Sequence, residues 1–264
     1  MKQARTSRLL GTFITLAIVG TASHSAVFDR DDRVYVSTAP GSPYSPVGMI
    51  IGGHFRQRLG TGFLVDQCHA LTLQHVAAKW KNPVGHRLIF RGAVGTPSEV
   101  TTRATIVAAG NASRRRKASG EIGDRDWLLL RLDECLGNTL GYADLMTGPF
   151  SPFEFRDLQS AGFPKHRDSR ALTVDPSCRI TASYRGVWLD DCATMMRDGG
   201  GPIFRISNSN GRRRMLVYAM KYGGQLWKKP VPLAQGDDNW AIPMSTIAPI
   251  IHTLLAGDAG TVER

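Results

Sequence analysis

The sequence is short of acid. Its 264 residues hold 22 aspartates and glutamates against 33 lysines and arginines, a formal charge of +11. Its short basic runs could favour an acidic partner, an anionic membrane surface or nucleic acid. Cysteine is also scarce. Cys68, Cys135, Cys178 and Cys192 make no CxxC pair and do not cluster with histidines, which argues against a zinc site; no metal and no cofactor is implied. No internal repeat recurs at a fixed period, which excludes a solenoid. Long apolar runs are missing too, with one exception: LLGTFITLAIVGTA, residues 9–22. That run is of signal length and too short to span a bilayer comfortably. MKQARTSR precedes it and SHSA follows, so residues 1–25 read as a secretory signal cleaved after Ser25 or Ala26. A membrane anchor is the other reading. With the signal removed, no transmembrane segment remains and the destination is secreted or periplasmic. An even cysteine count in an oxidising compartment reads as two disulfides.

Short apolar runs fill most of the remaining chain. VGMIIGG, GTGFLVD, HALTLQHVA, HRLIFRGAV, TRATIVAAG, DWLLLRL, CRITASY and GVWLDD are each strand-sized, with Gly, Pro, Asp and Asn between them. The spacing predicts an antiparallel barrel or sandwich. PIFRIS and RRRMLVYAM, joined by NSNG, read as a hairpin turning at Asn210-Gly211. One helix is predicted at the C-terminus, capped by Ser245, with Ile247, Ile250, Ile251, Leu254 and Leu255 on one face and Gly257 at its end. The segment Gly110–Asp126 reads as an exposed loop, and residues 148–156 as a linker between halves. Basic runs at Arg114–Lys117, Arg212–Arg214 and Lys228–Lys229 read as solvated loop charge. Without a nucleic-acid motif or interleaved aromatics they imply no specific nucleic-acid partner.

Three separated segments carry the candidate chemistry. They are GTGFLVDQCHALTLQHVAA (60–78), DWLLLRLDECLG (126–137) and DCATMMRDGGGPIF (191–204). His75 follows a strand, where a neutral imidazole can take and return a proton. Asp126 opens an apolar run, where a carboxylate needs a partner. The order His, Asp, Gly-rich turn resembles the chymotrypsin-like serine peptidases, and among them the bacterial secreted branch that includes glutamyl endopeptidases. The resemblance runs from DDRVYV, near Asp31, to NWAIPMSTIAPII. It implies an all-β fold of two Greek-key antiparallel barrels with the site between them and a C-terminal helix. The halves would be 26–147, carrying His75 and Asp126, and 148–264, carrying the elbow and the helix. It also implies that Asp126 holds the tautomer of His75.

The elbow departs from that family. Its Gly-Asp-Ser-Gly-Gly-Pro is here Arg197, Asp198, Gly199, Gly200, Gly201 and Pro202. Gly199 stands at the nucleophile position, so no acyl-enzyme can form there. Ser207 and Ser209, expected in the hairpin turn, are too far along the chain to substitute. The oxyanion hole would use the N–H groups of Arg197 and Gly199. Arg197 replaces a glycine, so it either takes a glycine-like conformation or leaves the loop flipped. With the loop flipped, Gly199→Ser alone would restore little activity and Arg197→Gly would be needed as well. Thr194 and Lys221 align with the pocket of glutamyl endopeptidases, where a hydroxyl and a cation would suit an acidic side chain; a Lys221 pointing to solvent is the alternative. Cys178 and Cys192 would staple a hairpin before the elbow, leaving Cys68 for Cys135. The leading expectation is an exported trypsin-like serine peptidase homologue, inactive or severely impaired, acting on or binding a peptide or protein. The alternatives are an active serine endopeptidase carrying a Ser-to-Gly substitution, and a non-cleaving peptide- or protein-binding module.

Overall fold

The computed structural model describes residues 31–52, 57–77, 80, 82–110, 125–148, 150–151, 157–165, 170–184, 186–209, 211–223 and 239–259. Residues 1–30 with the expected signal, most of the predicted loop 110–126, residues 152–156 and the basic runs at 114–117 and 228–229 lie outside them.

Six strands close a barrel in the order β2-β3-β4-β7-β6-β5. They are β2 (Val47–Gly52), β3 (Gln57–Leu64), β4 (His69–Thr72), β5 (Arg87–Gly92), β6 (Val100–Ala109) and β7 (Leu128–Leu132). Alternation decides which side chains turn inward. In β5 Leu88 and Phe90 are buried, and in β6 Ala104 and Ile106. The unbroken run LLL of β7 has a different cause. Leu128, Leu130 and Leu132 fill the barrel, while Leu129 joins a second core shared with the rest of the molecule. A strand covered on both faces reads as a continuous apolar run.

The second layer is a nine-stranded sheet. Along its path lie β1 (Val34–Val36), β10 (Leu172–Cys178), β9 (Leu158–Gly162), β13 (Pro202–Ser209), β14 (Arg212–Gly223), β15 (Asn239–Pro243), β12 (Val187–Asp190) and β11 (Ile180–Tyr184); β8 (Asp144–Leu145) pairs parallel with β14. The ladder path is open among the described residues. Its circuit is completed by the chain, because β10 runs into β11 across the single residue Arg179. The predicted hairpin is β13–β14, with Ser209 opposite Arg212. Ser207 and Ser209 therefore lie in β13 itself, not in the turn.

Two helices are described, α1 (Gly137–Leu140) and α2 (Met244–Ala259). The C-terminal helix differs from expectation at both ends. It starts at Met244, so Ser245 is inside its first turn, and it continues through Gly257. Ile247, Ala248 and Ile251 are buried, but Ile250 is 48% exposed and Leu254 38%. The apolar stripe is wider than the surface that β14 and β15 offer it. No helix among the described residues is long and apolar enough to cross a membrane.

Candidate active site

Strand pairing brings the first two candidates together. β4 and β7 run antiparallel with Thr72 opposite Leu128. The exit of one strand thus meets the entry of the other. His75 sits on the 3-10 turn Gln74–Ala77 that follows β4. Asp126 lies two residues before β7 and is 1% exposed. Its Oδ2 is 2.8 Å from His75 Nδ1, and its Oδ1 accepts the backbone N–H of His75 at 2.8 Å. A buried carboxylate requires such donors. With Nδ1 engaged, Nε2 is the nitrogen presented to the cleft.

A third donor escaped the sequence reading. Tyr222, near the end of β14, is buried and its hydroxyl bonds to Asp126. Burial, the Asp126 charge and that bond together push its phenol pKa above the ordinary range. Its ring centroid lies 5.0 Å from that of His75.

The elbow, Met195–Gly201, is pinned from three sides. Thr61 of β3 donates its N–H to the Gly199 carbonyl and its hydroxyl to the Arg197 carbonyl, both at 3.0 Å. Gly60 permits this approach, since a Cβ there would lie 2.9 Å from the Gly199 carbonyl oxygen. β14 grips the elbow next, through Gly200 N–H to the Lys221 carbonyl and Lys221 N–H to the Gly201 carbonyl, both 2.8 Å. The third hold is ionic. Asp198 Oδ2 accepts the Met195 N–H at 2.9 Å and lies 3.1 Å from Arg33 Nη1, whose guanidinium also binds Asp31. Arg33 and Asp198 are both buried. Burial pushes the Asp198 carboxyl pKa up, against the pull of Lys221 and Arg33.

Within this frame the three glycines are not equivalent. Gly200 has φ +88°, and a Cβ there would strike the Thr61 carbonyl oxygen at 2.2 Å. Glycine is required at that position. Gly199 has no positive φ. A Cβ would meet the Tyr222 carbonyl oxygen at 3.2 Å, Leu73 Cδ1 at 3.3 Å and His75 Nε2 at 3.8 Å. The backbone tolerates a side chain at Gly199 with small adjustments, and that side chain would face the imidazole.

Arg197 takes the glycine-like conformation, with φ +80°. The preceding peptide is not flipped. The Met196 carbonyl accepts the Lys165 N–H at 3.0 Å. In a planar trans peptide the N–H of Arg197 then points the opposite way. Of the two options left by the sequence, Arg197 adopts the glycine-like conformation.

Thr194 and Lys221 stand beside each other but not as open ligands. Each is 2% exposed. Thr194 Oγ1 donates to the Cys192 carbonyl at 3.1 Å, and Lys221 Nζ to the Ala193 carbonyl at 2.7 Å and Ser160 Oγ at 3.1 Å. Burial pushes the Lys221 ammonium pKa down, while Asp198, Asp190 and Asp175 support the charge. These bonds hold Lys221 inside the protein, so it does not point to solvent either.

The cysteines pair as Cys68–Cys135 and Cys178–Cys192. Arg212–Arg214 line a groove of about 1050 Å³ with Tyr142 and the 41–46 loop, separate from the dyad.

This arrangement of barrel, second sheet, C-terminal helix, His–Asp pair and Gly-rich elbow defines a chymotrypsin-like fold. No family model and no curated protein matches the sequence. Among solved structures, the one titled "Structure of Glu endopeptidase in complex with MPD" superposes with a TM-score of 0.63 at 15% identity, covering 88% of this chain and 99% of that one. The fold is thus similar to that of a Glu endopeptidase.

Proposed function

We propose that this chain is an exported homologue of trypsin-like serine peptidases that binds peptide or protein but cleaves it very slowly or not at all. It would consist of a signal segment, 1–25, and two halves, 26–147 and 148–264, that share the cleft. Gly199 carries the reading. Its position places an absent Cβ 3.8 Å from His75 Nε2, where a nucleophile would need to receive general-base help. His75 and Asp126 can polarise a hydroxyl, but Gly199 brings none to His75 Nε2. Binding and backbone donors alone can leave a residual acceleration of about 10³–10⁴ over water in enzymes of this type. Export is supported by the signal-like N-terminus and by the two cysteine pairs.

The test is hydrolysis of a panel of chromogenic peptides by the parent and by Gly199→Ser. The parent should show no burst of leaving group. The variant should show one, and should be labelled by a fluorophosphonate. A parent with an acyl-enzyme burst of its own would overturn the proposal.

A further inference from the structure

The elbow leaves two donors unused. Among the described residues, neither the Arg197 N–H nor the Gly199 N–H meets a protein acceptor, whereas the intervening Asp198 N–H is tied to the Met195 carbonyl at 3.0 Å. Alternate N–H groups around a residue of positive φ form a concave anion-binding turn. The Arg197 guanidinium adds a cation to the same turn. Opposite stands His75 Nε2, 3.8 Å from where a Gly199 Cβ would be. Backbone donors left without a protein partner take one from outside, water or a ligand.

From this we infer that the cleft is a receptor for the free C-terminal carboxylate of a peptide. The inference rests on the reading of Gly199 as an elbow without a nucleophile. One carboxylate oxygen takes the two backbone N–H groups. The other lies between Gly199 and His75, and Nε2 donates to it when protonated. Glycine makes this geometry available. A serine Oγ or an alanine methyl would occupy the space that the second oxygen takes. An internal peptide bond offers only a neutral carbonyl to the same donors, and charged acceptors bind backbone N–H groups more tightly than neutral ones. The ligand is therefore a chain end, and the complex is noncovalent with no bond made or broken.

The experiment uses fluorescein-labelled Ala-Ala-Pro-Glu, Ala-Ala-Pro-Phe and Ala-Ala-Pro-Lys, each as free acid and as C-terminal amide, titrated with the unmodified protein by fluorescence anisotropy. The best acid should bind at least about tenfold more tightly than its amide, the factor expected for hydrogen bonds to a charged group. Gly199→Ala should abolish that preference. Arg197→Gly should retain most of it, because the backbone donor stays. Equal affinities for acid and amide, or no binding of any acid at millimolar concentration, overturn the proposal, and both are read without any variant. A preference that survives Gly199→Ala also overturns it. Cleavage of matching substrates by Gly199→Ser separates the two readings. If that variant cleaves but the parent shows no acid preference, the receptor fails and the elbow reading stands. If the variant gains nothing while the preference holds, the elbow reading fails instead.

Discussion

At the scale of single residues, the decisive comparison is between neighbours in one turn. Gly200 is glycine because its backbone allows nothing else, whereas Gly199 is glycine where a side chain would fit. Restoring the hydroxyl should therefore be tolerated by the fold. Because Arg197 already holds φ +80°, Gly199→Ser alone should raise kcat/KM by at least about 10³-fold over the parent. Adding Arg197→Gly should change it by less than about tenfold and stabilise the protein by about 1 kcal/mol, the strain of a non-glycine residue in that region. Steady-state kinetics and chemical denaturation of both variants check this. A single variant crippled by about 10²–10³-fold relative to the double would mean that the Arg197 N–H is turned away. Tyr222→Phe should cost about 1.5–3 kcal/mol, since it removes a hydrogen bond to a buried charge; urea midpoints measure it. Tyr222 could not be found from the sequence. It is one more aromatic in an apolar strand, and only the packing of β14 beside the dyad turns its hydroxyl toward Asp126. Gly199 and Arg197 were conspicuous because they interrupt a recognisable pattern.

At the scale of elements, the strands followed from alternation and turn residues, while the locks between them did not. GTG in β3 was visible as a motif. That Thr61 would clamp the elbow with both its N–H and its hydroxyl was not, because its partners are more than a hundred positions away. β9, β10 and β15 gave weaker signals, since LQSAG, LTVDPSC and NWAIP carry polar residues or proline within the strand. The turn from β3 to β4 has its own lock. Asp66 Oδ1 accepts the N–H groups of Cys68 and His69, both at 2.7 Å, and the carboxylate lies 2.9 Å from His69 Nδ1. Burial alone would raise the Asp66 carboxyl pKa, but these donors outweigh it and hold the pKa below the ordinary 3.8. A depressed folded value means stability that is present above pH 3.8 and is lost as the pH falls through the depressed value. Thermal unfolding between pH 6 and pH 2 should show that acid-side loss, and Asp66→Asn should remove part of the slope while lowering Tm at pH 6.

At the scale of the whole molecule, the disulfides differ in what they constrain. Cys68–Cys135 spans 67 residues and ties the barrel to the chain leaving it, whereas Cys178–Cys192 spans 14. Loop-closure entropy gives about 4 kcal/mol for the first and about 3 kcal/mol for the second. The Cys68→Ala/Cys135→Ala protein should therefore unfold at the lower denaturant concentration of the two double variants. The Arg33–Asp198 pair sets a different kind of limit, one of timing. Its partners are 165 residues apart. The barrel strands all come from residues 47–132, so they can pair while the elbow is still unmade. β1 must wait for β10, and Arg33 for Asp198. Contacts of such separation form late, because loop closure is unfavourable until other contacts hold the ends near. The elbow is therefore expected to form after the barrel: in refolding, pulse-labelled hydrogen exchange should protect the barrel strands of residues 47–132 before the amides of residues 195–201.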